Sequence, residues 1–329
     1  MVNTDQAEKP WSRAGVLLGL LLLVAVIFAA KNLGEERKFV DLVSNAQPLW
    51  LVAGFAYQIT TYLCAAGVWW LVLNNSGVRI PLRSLAPLGL AKLFIDQVIP
   101  TAGVGGSVLV VRGLVRRGAS NGLATAALLM DLLSFYAAHA IAVGVAILIL
   151  WVHQELHPVV LALATIFSLI AVTIPLSILW LTRAGKRSSP NWARRIPGVS
   201  RVLNRIADVP AEIPRNRRLF LQTTILQLAI FVLDAATLDA MLRATGHPTR
   251  PDAVFAAFSM AVVAATVSLI PGGLGAFEGS SVLMLRFLNI PIEAGLAATL
   301  LLRGFTLWLP MAPGLIISRR ENLKRNSAH

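Results

Sequence analysis

The chain has 329 residues, 56% of them hydrophobic and 14% charged, with a formal net charge of +13. A soluble domain carries about 25% charged residues, so an ordinary soluble enzyme is excluded. The single cysteine, Cys64, excludes a disulfide framework or a thiolate metal cluster.

Residues 1–13 read as a short cytoplasmic N-terminus. The first apolar run, Ala14–Ala30, lies behind Lys9 and Arg13 as a signal peptide's would. It continues directly into Lys31 and Asn32 with no small-x-small cleavage pattern, which predicts a retained helix over about 14–31. Further spans are predicted over about 48–73, 121–151, 157–182, 219–242 and 293–318. Runs of about 17 or more apolar residues cross about 30 Å of hydrocarbon only as helices, because every backbone N–H and C=O must find a partner inside the segment. Alternating segments of about ten residues, which a barrel needs, are missing. The fold class is therefore an all-α integral membrane protein.

Two segments depart from the ordinary span. Ser84–Val111 is interrupted by Ile99–Gly106, which holds Pro100, Gly103, Gly105 and Gly106, and Ala253–Leu288 by Ile270–Gly279, which holds Pro271, Gly272, Gly273 and Gly275. Proline removes a donor and clusters of glycine disfavour helix, so each segment is predicted to be a re-entrant hairpin, helix–loop–helix within the membrane. Irregular backbone at that depth is stable only when packed in protein or facing a wet cavity.

Lys and Arg set the orientation. The stretch 183–218 carries ten arginines and lysines and reads as cytoplasmic, whereas the stretch around His153–His157 carries none and reads as external. Both chain ends, including the tail 319–329, then lie in the cytoplasm of an inner-membrane protein. The first broken segment enters and leaves from inside, the second from outside. The basic residues are accounted for by topology, so no nucleic-acid partner is expected. Within 183–218, Trp192, Ile196, Val199, Leu203 and Ile206 recur at helical spacing among arginines. An in-plane amphipathic helix on an anionic leaflet and a plain basic connector are both open.

The halves 14–182 and 219–318 resemble each other. Val98-Ile99-Pro100 before glycines matches Leu269-Ile270-Pro271 before glycines, and Gly122-Leu123-Ala124 matches Gly295-Leu296-Ala297, at offsets of about 171 and 173. Matched breaks in opposed topology are the signature of an inverted-repeat transporter with a midplane site.

The stretch from Ile270 to Glu278, with Arg303 in the next helix, resembles the signature of the lysylphosphatidylglycerol synthase transmembrane-region family, which includes the flippase part of the multiple peptide resistance factor and stand-alone relatives. Pro100, Gly103, Gly105, Gly106 and Arg112 are similar to its first motif. The resemblance runs from about 14 to 318. It implies lipid translocation between leaflets or the handling of lipid-linked precursors. The chain ends soon after its last predicted helix, so lysyl transfer from tRNA is not expected of it.

A charge at the bilayer centre costs roughly 2.5–3.5 kcal/mol on insertion scales, so each buried ion needs a reason. Asp131 and Arg303 each lie about ten residues into a helix, near the midplane at about 1.5 Å per residue. They read either as an ion pair between the halves or as a phosphate-holding arginine tuned by an aspartate. Glu278 either caps its helix or meets a cationic headgroup or coupling proton. Lys92 and Asp96 share a helix face, as a plain pair or as one wall of a polar cavity. Arg112 and Arg286, at the ends of the broken segments, either snorkel to headgroups or capture phosphate. Asp234 carries the same alternatives, and Asp239 lies near the outer interface. His139, alone on an apolar helix, is expected to be a satisfied core residue. No metal-ligand, Walker or nucleophile-elbow motif is present, so no catalytic residue, metal or cofactor is expected.

The leading expectation is a lipid translocator that takes an anionic phospholipid or lipid-linked precursor through a polar cavity between the broken segments. A small-solute or ion transporter and a membrane-embedded headgroup transferase are the alternatives.

Overall fold

The computed structural model describes residues 43–98, 104–154, 156–184, 212–268, 270, 273–311, 313, 314 and 317. The predicted helix over 14–31, the amphipathic stretch around Trp192 and the tail 319–329 lie outside these. The helices are α1 (Pro48–Asn75), α2 (Leu82–Val98), α3 (Val104–Val115), α4 (Asn121–Val152), α5 (Pro158–Ala184), the single turn α6 (Glu212–Arg215), α7 (Arg217–Ala244), α8 (Pro251–Ser268), α9 (Ala276–Phe287) and α10 (Ile292–Arg303). A π-helical turn, Gly304–Trp308, prolongs α10. There is no strand among the described residues.

Six of these helices are long and apolar enough to cross a membrane. Five coincide with predicted spans. The sixth is α8, whose 18 residues make it the long arm of the second broken segment. The outward faces are apolar, with Trp151, Leu169, Leu221 and Ile225 all more than half exposed. A helix that is apolar on every side suits a lipid environment.

Several helix ends have a local cause. Ser120 accepts the Leu123 N–H at 3.2 Å and Asn216 accepts that of Leu219 at 3.1 Å, satisfying donors that the first turns of α4 and α7 leave open. At the end of α1, the Gly77 N–H donates to Asn74 O and the Val78 N–H to Leu73 O. At the end of α7, Gly246 donates to Arg243 O and His247 to Leu242 O. Both glycines are left-handed, with φ +81° and +80°. This is the Schellman arrangement, which closes the orphan carbonyls of a last turn. Both helices have 28 residues, and their starts and capping glycines are each 169 positions apart.

The breaks are tighter than the sequence suggests. Helix α3 begins at Val104, so Gly105 and Gly106 stand in its first turn rather than in a loop. Helix α9 begins at Ala276, so Phe277, Glu278 and Gly279 are helical and the second break ends before Ala276. First-turn N–H groups lack intrahelical partners in any case, which is why glycine is tolerated there. Pro100, Gly103, Pro271 and Gly272 lie outside the described residues.

Buried side chains form two clusters. One gathers residues 66–73 of α1, 123–133 of α4 and Leu219 of α7 around α2 and α3. The other gathers residues 138–150 of α4 and 231–242 of α7 with α5, α8, α9 and α10, and Trp50, Leu51 and Tyr57 of α1 pack against it. The two broken units thus sit at opposite ends of the three long helices α1, α4 and α7.

His139 lies in the second cluster and is fully buried, as expected, but it is not satisfied. Neither ring nitrogen has a hydrogen-bond partner among the described residues. Phe167, Phe231 and Phe135 surround the ring at centroid distances of 4.0, 4.8 and 5.5 Å. An unmet buried polar atom costs about 1–3 kcal/mol. His139→Leu is therefore expected to unfold no more easily than the parent in detergent, and a large drop in the thermal midpoint would show a partner for the imidazole.

Candidate polar centre at the second break

Helix α8 ends at Ser268 and the chain turns through Gly273, at φ +63°, and Gly275, at φ +82°. A Cβ on Gly273 would lie 2.5 Å from the Cβ of Ala265 and 3.8 Å from Arg303 Nη2. The turn therefore needs glycine for both its conformation and its clearance.

Glu278 stands at the third position of α9 and uses both carboxylate oxygens. Its Oε2 accepts the Gly275 N–H at 2.6 Å, which closes a capping box. Its Oε1 lies 2.6 Å from Arg303 Nε, and both side chains are 13% exposed. The Arg303 guanidinium also sits 4.2 Å from the centroid of the Phe277 ring, within the range of a cation–π contact. The capping and ionic readings of Glu278 are thus both realised, by different atoms of one side chain. A buried hydrogen bond of 2.9 Å between Ser281 and Thr299 ties α9 to α10. Ser281 follows Glu278 by three positions and Thr299 precedes Arg303 by four, so the ion pair and this bond share the facing sides of the two helices.

The backbone changes character immediately after Arg303. In the π turn the Leu309 N–H donates to Gly304 O, and Tyr62 of α1 donates to Phe305 O at 2.9 Å. One added residue per turn frees carbonyls from the regular ladder, and such turns recur at functional sites.

The other predicted residues occupy different places. Arg303 takes its carboxylate from Glu278, within the second half, rather than joining the halves through Asp131. The Asp131 carboxylate accepts from Gln227 Nε2 at 2.7 Å, which links α4 to α7. Lys92 is half-buried on α2, and the Asp96 side chain lies outside the described residues. Arg112 and Arg286 are exposed, as snorkelling requires. Asp239 pairs with Arg243 at 2.7 Å, and Arg243 lies over Trp50. No group of three or more potential metal ligands occurs among the described residues.

Sequence reasoning missed the glutamines. Gln58, 1% exposed, donates to Asp234 at 2.8 Å and to Thr237 at 3.1 Å, and Thr61 adds a longer bond of 3.5 Å to Asp234. Gln58 and Gln227 are each the eleventh residue of a 28-residue helix, and each faces an aspartate. That 169-residue offset is visible in the sequence, but it is informative only once the helix starts are fixed. Asp234→Ala would leave the buried Gln58 amide without its carboxylate and is expected to cost about 1–3 kcal/mol. Gln58→Leu combined with Asp234→Leu should recover most of that loss in the same unfolding assay.

Together these contacts make a mostly buried, charge-balanced pair beside a glycine turn and a helix N-terminus. The guanidinium offers N–H donors in a fork that matches a phosphate, and a helix N-terminus attracts anions. A comparison with curated proteins finds no match. A family model described as "Lysylphosphatidylglycerol synthase TM region" matches residues 14–314. The chain belongs to the lysylphosphatidylglycerol synthase TM-region family.

Proposed function

We propose that the protein translocates a lipid between leaflets, without chemical change, by passing the headgroup of an anionic phospholipid or lipid-linked precursor across the centre built on Arg303 and Glu278. The observation that carries this reading is the ion pair itself. An arginine in an apolar helix is expensive in a bilayer. Here it is kept beside a turn that breaks the helical ladder, where a phosphate can exchange with a carboxylate on the same guanidinium.

The placement of the broken units supports an inverted repeat. The α2–α3 unit packs at one end of α1, α4 and α7 and the α8–α9 unit at the other. Helices α3 and α9 both have 12 residues and stop with one pattern. Gly118 donates to Val115 O and Ala119 to Leu114 O, while Asn289 donates to Arg286 O and Ile290 to Leu285 O. Gly118 and Asn289, 171 positions apart, are both left-handed. Twelve helical residues span about 18 Å, less than the hydrocarbon core, so α3 and α9 suit the short arms of re-entrant hairpins. With the basic 183–218 stretch on the cytoplasmic face of an inner membrane, both termini are cytoplasmic and the two hairpins open to opposite sides. That arrangement gives alternating access to one central site.

Proteoliposomes carrying a fluorescent phosphatidylglycerol test the proposal. Inner-leaflet probe is expected to become accessible to an external quencher in vesicles containing the protein. Equal rates in protein-free vesicles would overturn it.

A further inference from the structure

A second feature lies apart from the Arg303 centre. Leu133, Tyr136, Ala137 and Ala140 follow one another at three- and four-residue spacing and form a single stripe on α4, about 10 Å long. Ala171 and Pro175 make a matching stripe on α5. Pro175 lacks the N–H that would bond to the Ala171 carbonyl and interrupts the α5 ladder where it faces α4. Pro214 and Phe220, on either side of the start of α7, complete a half-open groove of about 260 Å³. It has no charged side chain in its lining, and Tyr136 supplies the one hydroxyl.

The groove's end at α6 and α7 is basic. Arg215 follows Pro214 directly, and Arg217 precedes Phe220 by three positions and so shares its face of α7. Arg215, Arg217 and Arg218 are exposed, as is Glu212, which offsets one of the three charges. An apolar channel leading to a cluster of exposed arginines matches an amphiphile with an anionic head. A peptide would bring backbone polar groups that this lining cannot satisfy.

We infer that this groove holds one acyl chain of an anionic phospholipid, with the lipid phosphate at Arg215, Arg217 and Arg218. This is a resident lipid site, separate from the path through Arg303. The stripe runs along α4 away from the arginines, so the chain lies with its head at the basic end and its tail toward the middle of the bundle.

Native mass spectrometry of the purified full chain in detergent, titrated with dioleoyl phosphatidylglycerol and dioleoyl phosphatidylcholine, reads the site. The wild type is expected to retain the anionic lipid more tightly. Each of R215S, R217S and R218S should weaken it about fivefold, as the loss of one basic contact to an anionic headgroup implies, while phosphatidylcholine retention stays unchanged. Arginine-to-lysine variants should restore most of the difference. Ala137→Trp with Ala140→Trp fills the groove and should reduce retention of both lipids. Equal retention of the two lipids, with no change in the serine variants, would overturn the inference. So would efficient crosslinking of an Ala140→Cys chain, in lipid-replete membranes, to residues 185–211 or to a second copy, because protein would then occupy the groove.

Discussion

Arg303→Ala is expected to destabilise the protein by about 3–5 kcal/mol, among the largest effects of any single substitution, because it strands the mostly buried Glu278 carboxylate without its cation. Glu278→Ala strands the guanidinium and also removes the acceptor of the Gly275 N–H, so it should cost at least as much. Glu278→Gln separates the two roles. It keeps an oxygen for the cap and loses the charge, and its cost is expected to fall between those of the wild type and the alanine variant. A double-mutant cycle on unfolding free energies in detergent should give a coupling of at least about 1 kcal/mol between positions 278 and 303. Additive effects would show that the 2.6 Å contact does not persist in solution.

Gly273→Ala is the second large effect. Left-handed backbone costs an L-residue roughly 1–2 kcal/mol, and the new methyl would meet the Ala265 methyl at 2.5 Å. The turn must shift, and Arg303 Nη2, 3.8 Å from the added atom, shifts with it. The expected outcome is a loss of about 2–4 kcal/mol, from strain plus overpacking. Ala265→Gly in the same chain should relieve the methyl clash and recover part of the loss, less about 1 kcal/mol for a glycine inside α8. A Gly273→Ala variant that unfolds as the wild type does, with unchanged headgroup movement, would show that this turn is not held as described.

Sequence and structure agree where single-helix physics decides. Five spans, the α2–α3 and α8–α9 breaks and the relation of Glu278 to its helix follow from hydropathy, proline and glycine. What was illegible depends on which helix faces which. Arg303 and Asp131 stand at similar depths, and depth alone made them look like partners. Packing of α9 on α10, held by Ser281 and Thr299, instead presents Arg303 to Glu278. Gln58 and Gln227 read as incidental amides in apolar runs until α1 and α7 are set side by side, when both become ligands of aspartates. Glycine content overstates the extent of the breaks, because glycine disfavours helix interiors, whereas Gly105, Gly106 and Gly279 occupy first turns, where that penalty is small. The unsatisfied state of His139 followed from its phenylalanine neighbours, which no local pattern could supply.

The central claim is that the charges of the pair, and not merely its packing, move the lipid. Replacing a buried ion pair by uncharged side chains of similar size is often neutral or stabilising, so Arg303→Met with Glu278→Gln, which keeps an oxygen for the Gly275 N–H, can preserve the fold while removing both charges. Leaflet exchange of fluorescent phosphatidylglycerol should be measured in proteoliposomes of this double variant, after its unfolding midpoint is matched to the wild type. The expected result is a folded protein with exchange reduced to the protein-free rate. Exchange at the wild-type rate would contradict the account.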